Sequence, residues 1–337
     1  MGRGILWLAA GLACCLACAA AQESTIYMAV LSSRSHQWNS ADNPVIGLFT
    51  STDRGASWQH IGWREYIRTF YSVESVDGTL WTACGNGVLR STDGGTSWKV
   101  TTGWEETEVL KIAVDPRRPE RVFAATAYGP IATTDGGETW EFRRNGLSRW
   151  FTGDVCIDWK QSARVLLASE TGVLISVDGG RRWRPTSLKG KDIRTIVQDP
   201  SADGRFWAGT EQDGIWASAN GGATWHSASK GLSHMTVYCI VFDPDDPVRM
   251  YAGTHGGGVY RSSDHGRTWQ QCSQGLLNLV VHSLAVLPGG PPTVFAGTLN
   301  DGLFRSTDGG DTWTFNSQPE AQVWGLSTGK GIRERAR

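Results

Sequence analysis

Ser306-Thr307-Asp308-Gly309-Gly310-Asp311-Thr312-Trp313 is one copy of an eight-residue box, Ser/Thr-x-Asp-x-Gly-x-x-Trp. Six more copies precede it, at Ser51–Trp58, Ser91–Trp98, Thr133–Trp140, Ser176–Trp183, Ser218–Trp225 and Ser262–Trp269. Their third residues are Asp53, Asp93, Asp135, Asp178, Asn220, Asp264 and Asp308, spaced by 40, 42, 43, 42, 44 and 44. A fixed period over most of a chain is the mark of a repeat architecture. Asp-x-Gly between two strand-like runs is hairpin chemistry: the carboxylate accepts from nearby backbone N–H groups, and glycine takes positive φ without strain. The closing Trp58, Trp98, Trp140, Trp183, Trp225, Trp269 and Trp313 are the natural anchors between repeats. Each buries roughly 150–250 Å², a gross gain of about 4–6 kcal/mol before chain entropy is subtracted.

The third repeat shows the unit. Val109–Val114, Arg121–Thr126, Gly129–Thr134 and Thr139–Arg143 read as four short strands separated by turn signals. Four strands per repeat of about 43 residues read as the blades of a propeller. The second strands share Phe/Trp/Tyr-Ala-Ala/Gly-Thr, at Phe123–Thr126, Trp207–Thr210, Tyr251–Thr254 and Phe295–Thr298, and their small residues let sheets approach closely. The ends complement one another. Thr25–Val30 reads as a second strand with no first, and Gln322–Leu326 as a first strand with nothing after it. The expectation is an all-β, seven-bladed β-propeller closed by the C-terminal strand joining the N-terminal blade.

These boxes resemble the BNR, or Asp-box, repeat of sialidases, xyloglucan-degrading enzymes, sortilin receptors and the photosystem II assembly factor. The likeness covers about residues 25 to 328 and implies the fold rather than the activity, because that group holds both enzymes and binders. Sialidases of the group look six-bladed, with an Arg triad and an Arg-Ile/Leu-Pro motif that has no counterpart in this chain. Xyloglucan-degrading enzymes pair two propellers, each supplying one catalytic carboxylate; sortilin-type domains are ten-bladed. In architecture the chain is most similar to the photosystem II assembly factor, a single exported ring without catalysis.

Residues 1–21 read as a signal peptide, with Arg3 before an apolar run from Ile5 to Cys18 and a small-residue site at Ala19-Ala20-Ala21. A secreted or periplasmic protein is expected, with a lipid anchor as the alternative. The propeller is assigned to 22–328 and a basic tail to 329–337. A net charge of −1 gives no basic field for nucleic acid, and no transmembrane stretch is expected. Cys84, Cys156, Cys239 and Cys272 read as buried free thiols, since the spacing of Cys239 and Cys272 puts them about 14 Å apart, three strand spacings. No metal-ligand spacing, and so no metal or cofactor, is read, and a monomer is expected.

The expected binding face carries the loops joining second to third strands and those entering the next blade. On it fall Arg34, His36, Trp38, Arg64, Glu65, Glu105, Glu106, Arg149, Trp150, Asp213, His255 and Asp301. The expanded loop from Ser32 to Pro44, containing Arg34–Asp42, is either functional or a harmless insertion. Trp63 and Trp104 occupy the place of Leu147, Leu232 and Leu276 and read as core plugs, whereas Trp38 and Trp150 read as binding residues. The box aspartates read as structural, since Asn220 makes the same turn bonds without charge. The function expected is a non-catalytic interaction or assembly module for a protein or envelope polysaccharide. The alternative is a glycoside hydrolase whose weak catalytic candidates are Asp213 and Asp301, each also explained as an Asp-Gly turn. A deep acidic pocket with a raised carboxyl would mark an enzyme, and a broad shallow face a binder.

Overall fold

The computed structural model describes residues 25–33, 46–61, 70–290 and 292–328. They form seven four-stranded antiparallel sheets, each a blade, with no helix among the described residues. The inner strands are Ala321–Thr328 for blade one, then Phe70–Val76, Val109–Val114, Thr152–Ile157, Ile193–Gln198, Val237–Phe242 and Val281–Leu287 for blades two to seven.

Blade one is built from both ends of the chain. Ala321–Thr328 pairs antiparallel with Ile26–Ser33, which pairs with Gly47–Ser51. Across the seam, Trp58 Nε1 donates to Asn316 Oδ1 at 2.8 Å and Asn316 Nδ2 donates to the Gly55 carbonyl at 2.8 Å. Closure gives Ile26–Ser33 a hydrogen-bonded neighbour on each side, as the second strand of every other blade has, and removes the long unpaired edge it would otherwise present.

The second strands are fully buried, as in Val122–Thr126, Phe206–Thr210 and Met250–Thr254. Their small residues do what the pattern implied: a Cβ on Gly253 would meet Cys239 Sγ at 2.6 Å and the Val281 carbonyl of the next blade at 2.9 Å. Apolar clusters lie between successive blades. One packs Tyr251 and Cys272 of blade six with Leu284, Val294 and Phe304 of blade seven, and box Trp313 fills it.

The boxes are turns held by their own side chains. In the first, Ser57 N and Oγ donate to Asp53 Oδ1 and Oδ2 at 2.9 and 2.5 Å, Ser51 Oγ donates to Oδ1 at 2.7 Å, and Gly55 N donates to Ser51 Oγ at 2.8 Å. In the fifth, Thr224 N donates to Asn220 Oδ1 at 2.9 Å, and Asn220 Nδ2 donates to Thr224 Oγ1 at 2.8 Å. The amide reproduces the carboxylate's bonds with one direction reversed. Box tryptophans then stitch blade to blade: Trp183, Trp269 and Trp313 donate Nε1 to carbonyls of Arg143, Ala228 and Cys272 in the preceding blades, at 2.7 to 2.9 Å.

A second repeated device joins the inner to the second strand in blades three to six. Asp115, Asp158, Asp199 and Asp243 end the inner strands, and each is buried. Each accepts from the backbone N–H two residues on, at 2.8 to 3.0 Å, and pairs with an arginine six residues on. Those pairs are Arg121 at 3.0 Å, Arg164 at 2.7 Å, Arg205 at 3.7 Å and Arg249 at 3.2 Å. Cys84, Cys156, Cys239 and Cys272 are free thiols, and burial pushes the Cys84, Cys239 and Cys272 thiols up to about 12.

Candidate binding face and central channel

Antiparallel meandering puts two kinds of loop on one face, those joining second to third strands and those entering the next blade. The box turns lie on the other. Large apolar side chains are exposed at eleven described positions, and seven of these are on the first face. Trp104, Tyr128, Trp150 and Phe151 fall in blades two to four and the loops between them; Met235, Leu277 and Leu279 fall in the loops entering blades six and seven. This corrects the reading of Trp104 as a core plug. It is 85% exposed, because the loop entering blade three turns it outward while Glu106 accepts from Gly103 N at 2.8 Å. Trp150 is 54% exposed and stacks on Arg144, whose guanidinium carbon is 4.5 Å from the ring centroid.

The other residues expected on this face divide by what they touch. Arg149 pairs with Glu170 at 3.1 Å and Lys191 with Asp213 at 2.6 Å. Asn278 Nδ2 donates to Asp301 Oδ2 at 2.8 Å. The two weak catalytic candidates thus each have a polar partner, and both precede glycines of positive φ, Gly214 and Gly302. His255 Nδ1 lies 3.2 Å from the Tyr238 hydroxyl. Glu105 is exposed beside Trp104. Arg34, His36, Trp38, Trp63, Arg64, Glu65 and the basic tail lie outside the described residues, as does the signal peptide.

At the centre of this face opens a channel of about 700 Å³ lined by the inner strands. Its mouth is set by one recurring irregularity. Every inner strand carries a β-bulge near its start, and the residue left out of register is Tyr71, Leu110, Gly153, Arg194, Tyr238, His282 or Trp324. A bulge adds one residue to one strand and re-aims it, and all seven line the channel. Four consecutive ones, Tyr238, His282, Trp324 and Tyr71, are ring-bearing. The His282 ring stacks on Tyr238 at 4.6 Å and on Trp324 at 4.4 Å, and Tyr71 stands edge-on to Trp324 at 5.8 Å. Arg194 extends the arc, held by Glu211 at 2.6 Å and Asp192 at 3.3 Å. Leu110 and Gly153 leave the opposite side low, beside Phe151, which also lines the channel.

Deeper, the wall carries Lys111, Asp154 and Glu74 among small and apolar side chains. Asp154 accepts from Val155 N at 2.7 Å and Ile196 N at 3.0 Å. Burial nevertheless pushes its carboxyl above the usual range, against the pull of Lys111. Burial alone would lower the Lys111 ammonium; Asp154 and Glu74 outweigh it, and the net shift is upward. Burial, helped by His255, takes His282 down to about 4, so its imidazole is neutral at ordinary pH. No group of three or more potential metal ligands occurs among the described residues.

Sequence reading missed this channel set. A signal was available: at the depth of Glu74 the other inner strands carry Ala113, Cys156, Val197, Val241, Ala285 and Ser327, so aligning the repeats would have isolated the carboxylate.

Comparisons with known proteins bear on the fold. No family model and no curated protein matches the chain. Among solved structures it is similar to a GH74 xyloglucanase from Xanthomonas campestris, at TM-score 0.65 and 16% identity over 89% of this chain and 52% of that one. It is also similar to YCF48 bound to a D1 peptide, at TM-score 0.57 and 16% identity over 76% of this chain and 91% of that one. YCF48 from Cyanidioschyzon merolae gives TM-score 0.55 and 19% identity over 83% and 94%. The chain spans 38% and 52% of the first two glycosidase structures it matches. At these identities the likeness establishes the propeller, which occurs in both hydrolases and peptide binders.

Proposed function

We propose that this chain is an interaction module, exported and acting as a monomer, that binds a protein through the face on which the channel opens. One observation carries the reading: exposed aromatic and aliphatic side chains gather on this face and flank the channel mouth, while Arg149, Lys191 and Arg194 near them are already paired with carboxylates. Contiguous exposed apolar surface marks interaction sites, and aromatic anchors dominate binding energies. An envelope polysaccharide stacking on Trp104 and Trp150 is the other ligand class this surface suits. The peptide-bound YCF48 structure is a precedent for a propeller of this size holding a polypeptide.

A hydrolase reading is favoured by one feature, the buried Asp154 with its raised carboxyl in a channel that also holds Glu74. Two experiments separate the readings. A photo-crosslinking amino acid in place of Trp150 should capture a partner in the cell of origin, and the same group in place of Val177, on the opposite face, should not. Incubation with a polysaccharide panel should yield no new reducing ends. Release that disappears in Asp154→Asn, Glu74→Gln, Asp213→Asn or Asp301→Asn would make the protein a glycosidase instead.

A further inference from the structure

Arg144 differs from the other cations of the binding face. Arg149, Lys191 and Arg194 each have a carboxylate at 3.1 Å or less. Arg144 has none within ion-pair distance among the described residues, and its one side-chain hydrogen bond runs from Nε to the Tyr128 carbonyl at 2.8 Å. Its guanidinium lies between two rings, with the central carbon 3.6 Å from the Phe142 centroid and 4.5 Å from that of Trp150. Gly129 clears room for the stem: a Cβ there would meet Arg144 Cγ and Nε at 3.1 Å.

Three segments thus hold one flat cation in place: the Tyr128-Gly129 loop, the end of the fourth strand of blade three, and the loop entering blade four. The rings fix its plane and take water from its faces, and Nε is engaged. The edge formed by Nη1 and Nη2 is left, and neither atom is fully occluded. Burial pulls the guanidinium below its ordinary range, and the charge of Glu105 opposes this from a distance. Arginine nonetheless stays protonated in proteins. The group has therefore lost hydration without gaining a counterion, which an incoming anion would offset. Two parallel N–H donors match the two oxygens of a carboxylate. A polyanion fits less well, because Glu105 would repel its further charges. Tyr128, Trp150 and Phe151 are exposed beside the fork, so the residues next to the carboxylate meet apolar surface.

Resting on the protein-binding reading above, we propose that Arg144 receives one carboxylate of the bound protein, on an acidic side chain or at a C terminus. Nη1 and Nη2 each donate to one of its oxygens, and its apolar neighbours lie on Trp150, Phe151 and Tyr128.

The test starts from an array of random dodecapeptides, each made with a free and with an amidated C terminus. Peptides that bind the protein should be rich in aspartate or glutamate next to aromatic and aliphatic residues, or should need the free terminus; the two arms tell the sources apart. In titration calorimetry, replacing the peptide's carboxylate by an amide should weaken binding about tenfold, as for one charge-assisted contact. Arg144→Gln should weaken the acidic peptide equally and leave its amide counterpart unchanged. Arg144→Lys, which keeps the charge without the fork, should fall between, and Arg182→Gln on the opposite face should change nothing. Binders without a carboxylate, or acidic binders indifferent to Arg144→Gln, would overturn the inference and leave the binding face intact. No peptide binding at all would overturn both. Binding of an oligogalacturonate through Arg144 in place of any peptide would move the carboxylate to a polysaccharide and overturn the protein-binding reading. Should Arg144→Gln fail to fold, as seen by circular dichroism, the acid and amide peptides on the unaltered protein decide.

Discussion

The substitution of Asn220 for a box aspartate shows which property of that residue matters. Its amide keeps the bond to Thr224 N and reverses the one to the Thr224 hydroxyl, so geometry is retained without charge. In the other boxes the hydroxyl and N–H donors hold the carboxyl low, at about 2 for Asp53, Asp93, Asp264 and Asp308. A carboxyl lowered on folding contributes stability above its unfolded value near 3.8 and loses it as pH falls through about 2. Asp264→Asn should therefore leave the melting temperature at neutral pH nearly unchanged and flatten its fall in that acid window. A large loss at neutral pH would show that the charge itself is needed.

His282 acts in a different window. Its folded value near 4 lies below the unfolded 6.5. Between those limits the unfolded chain binds the extra proton, and stability falls as pH drops through them. His282→Gln should remove that portion of the acid profile, on the order of 1–3 kcal/mol. Thermal melts across the two ranges separate the contributions.

Trp313 and Trp104 show what a single residue type can and cannot convey. Both are tryptophans at repeat-related positions, yet one is buried with its Nε1 on the Cys272 carbonyl and the other is 85% exposed. The box spacing made the first readable. The second depended on which way a loop turned, and no periodicity encodes that. Trp313→Ala should cost about 3–5 kcal/mol in denaturant unfolding. Trp104→Ala should lie within about 0.5 kcal/mol of the parent.

Among elements, the strands, their number per blade and the pairing of the two chain ends were legible, because alternating apolar runs and turn residues are local signals. The bulges were not. A bulge is a register event between two strands, so the ring of Tyr71, Leu110, Gly153, Arg194, Tyr238, His282 and Trp324 became visible only once partners were known. The buried aspartate with an arginine six residues on lay open to view at the repeat period, and passed unnoticed beside the more conspicuous boxes. In blade three, Asp115 also accepts from Ser162 Oγ of blade four at 3.0 Å, and Arg121 donates to the Ser162 carbonyl at 2.5 Å. The pair thus fastens two blades. Arg121→Met would leave the buried carboxylate with the half-exposed Arg118, at 3.6 Å, as its nearest remaining cation and should cost about 3 kcal/mol. Replacing both partners, as Asp115→Asn with Arg121→Met, should recover part of that loss in the same equilibrium unfolding experiment.

For the whole molecule, seven equivalent blades leave function to whatever breaks their equivalence. The apolar patches and the ring-bearing arc of Tyr238, His282, Trp324 and Tyr71 at the channel mouth are such breaks, and both sit on the face away from the boxes. The seam is another. Blade one has its inner strand from one end of the chain and its other three from the opposite end, so a protein lacking residues 320–337 loses a strand that two blades pack against. That truncation should abolish cooperative unfolding. An unchanged melting temperature would mean the ring does not depend on this closure.

The seam also sets an order of events during synthesis. Six blades are made from contiguous chain and can form as they emerge. Ile26–Ser33, the earliest of the described strands, has one neighbour within reach of its own hairpin and the other nearly three hundred residues further on. Until Ala321–Thr328 leaves the ribosome, Ile26–Ser33 lacks its inner-strand partner. The circle is completed in a single late step, and a partner that held the first strand in the meantime would decide when the channel comes into being.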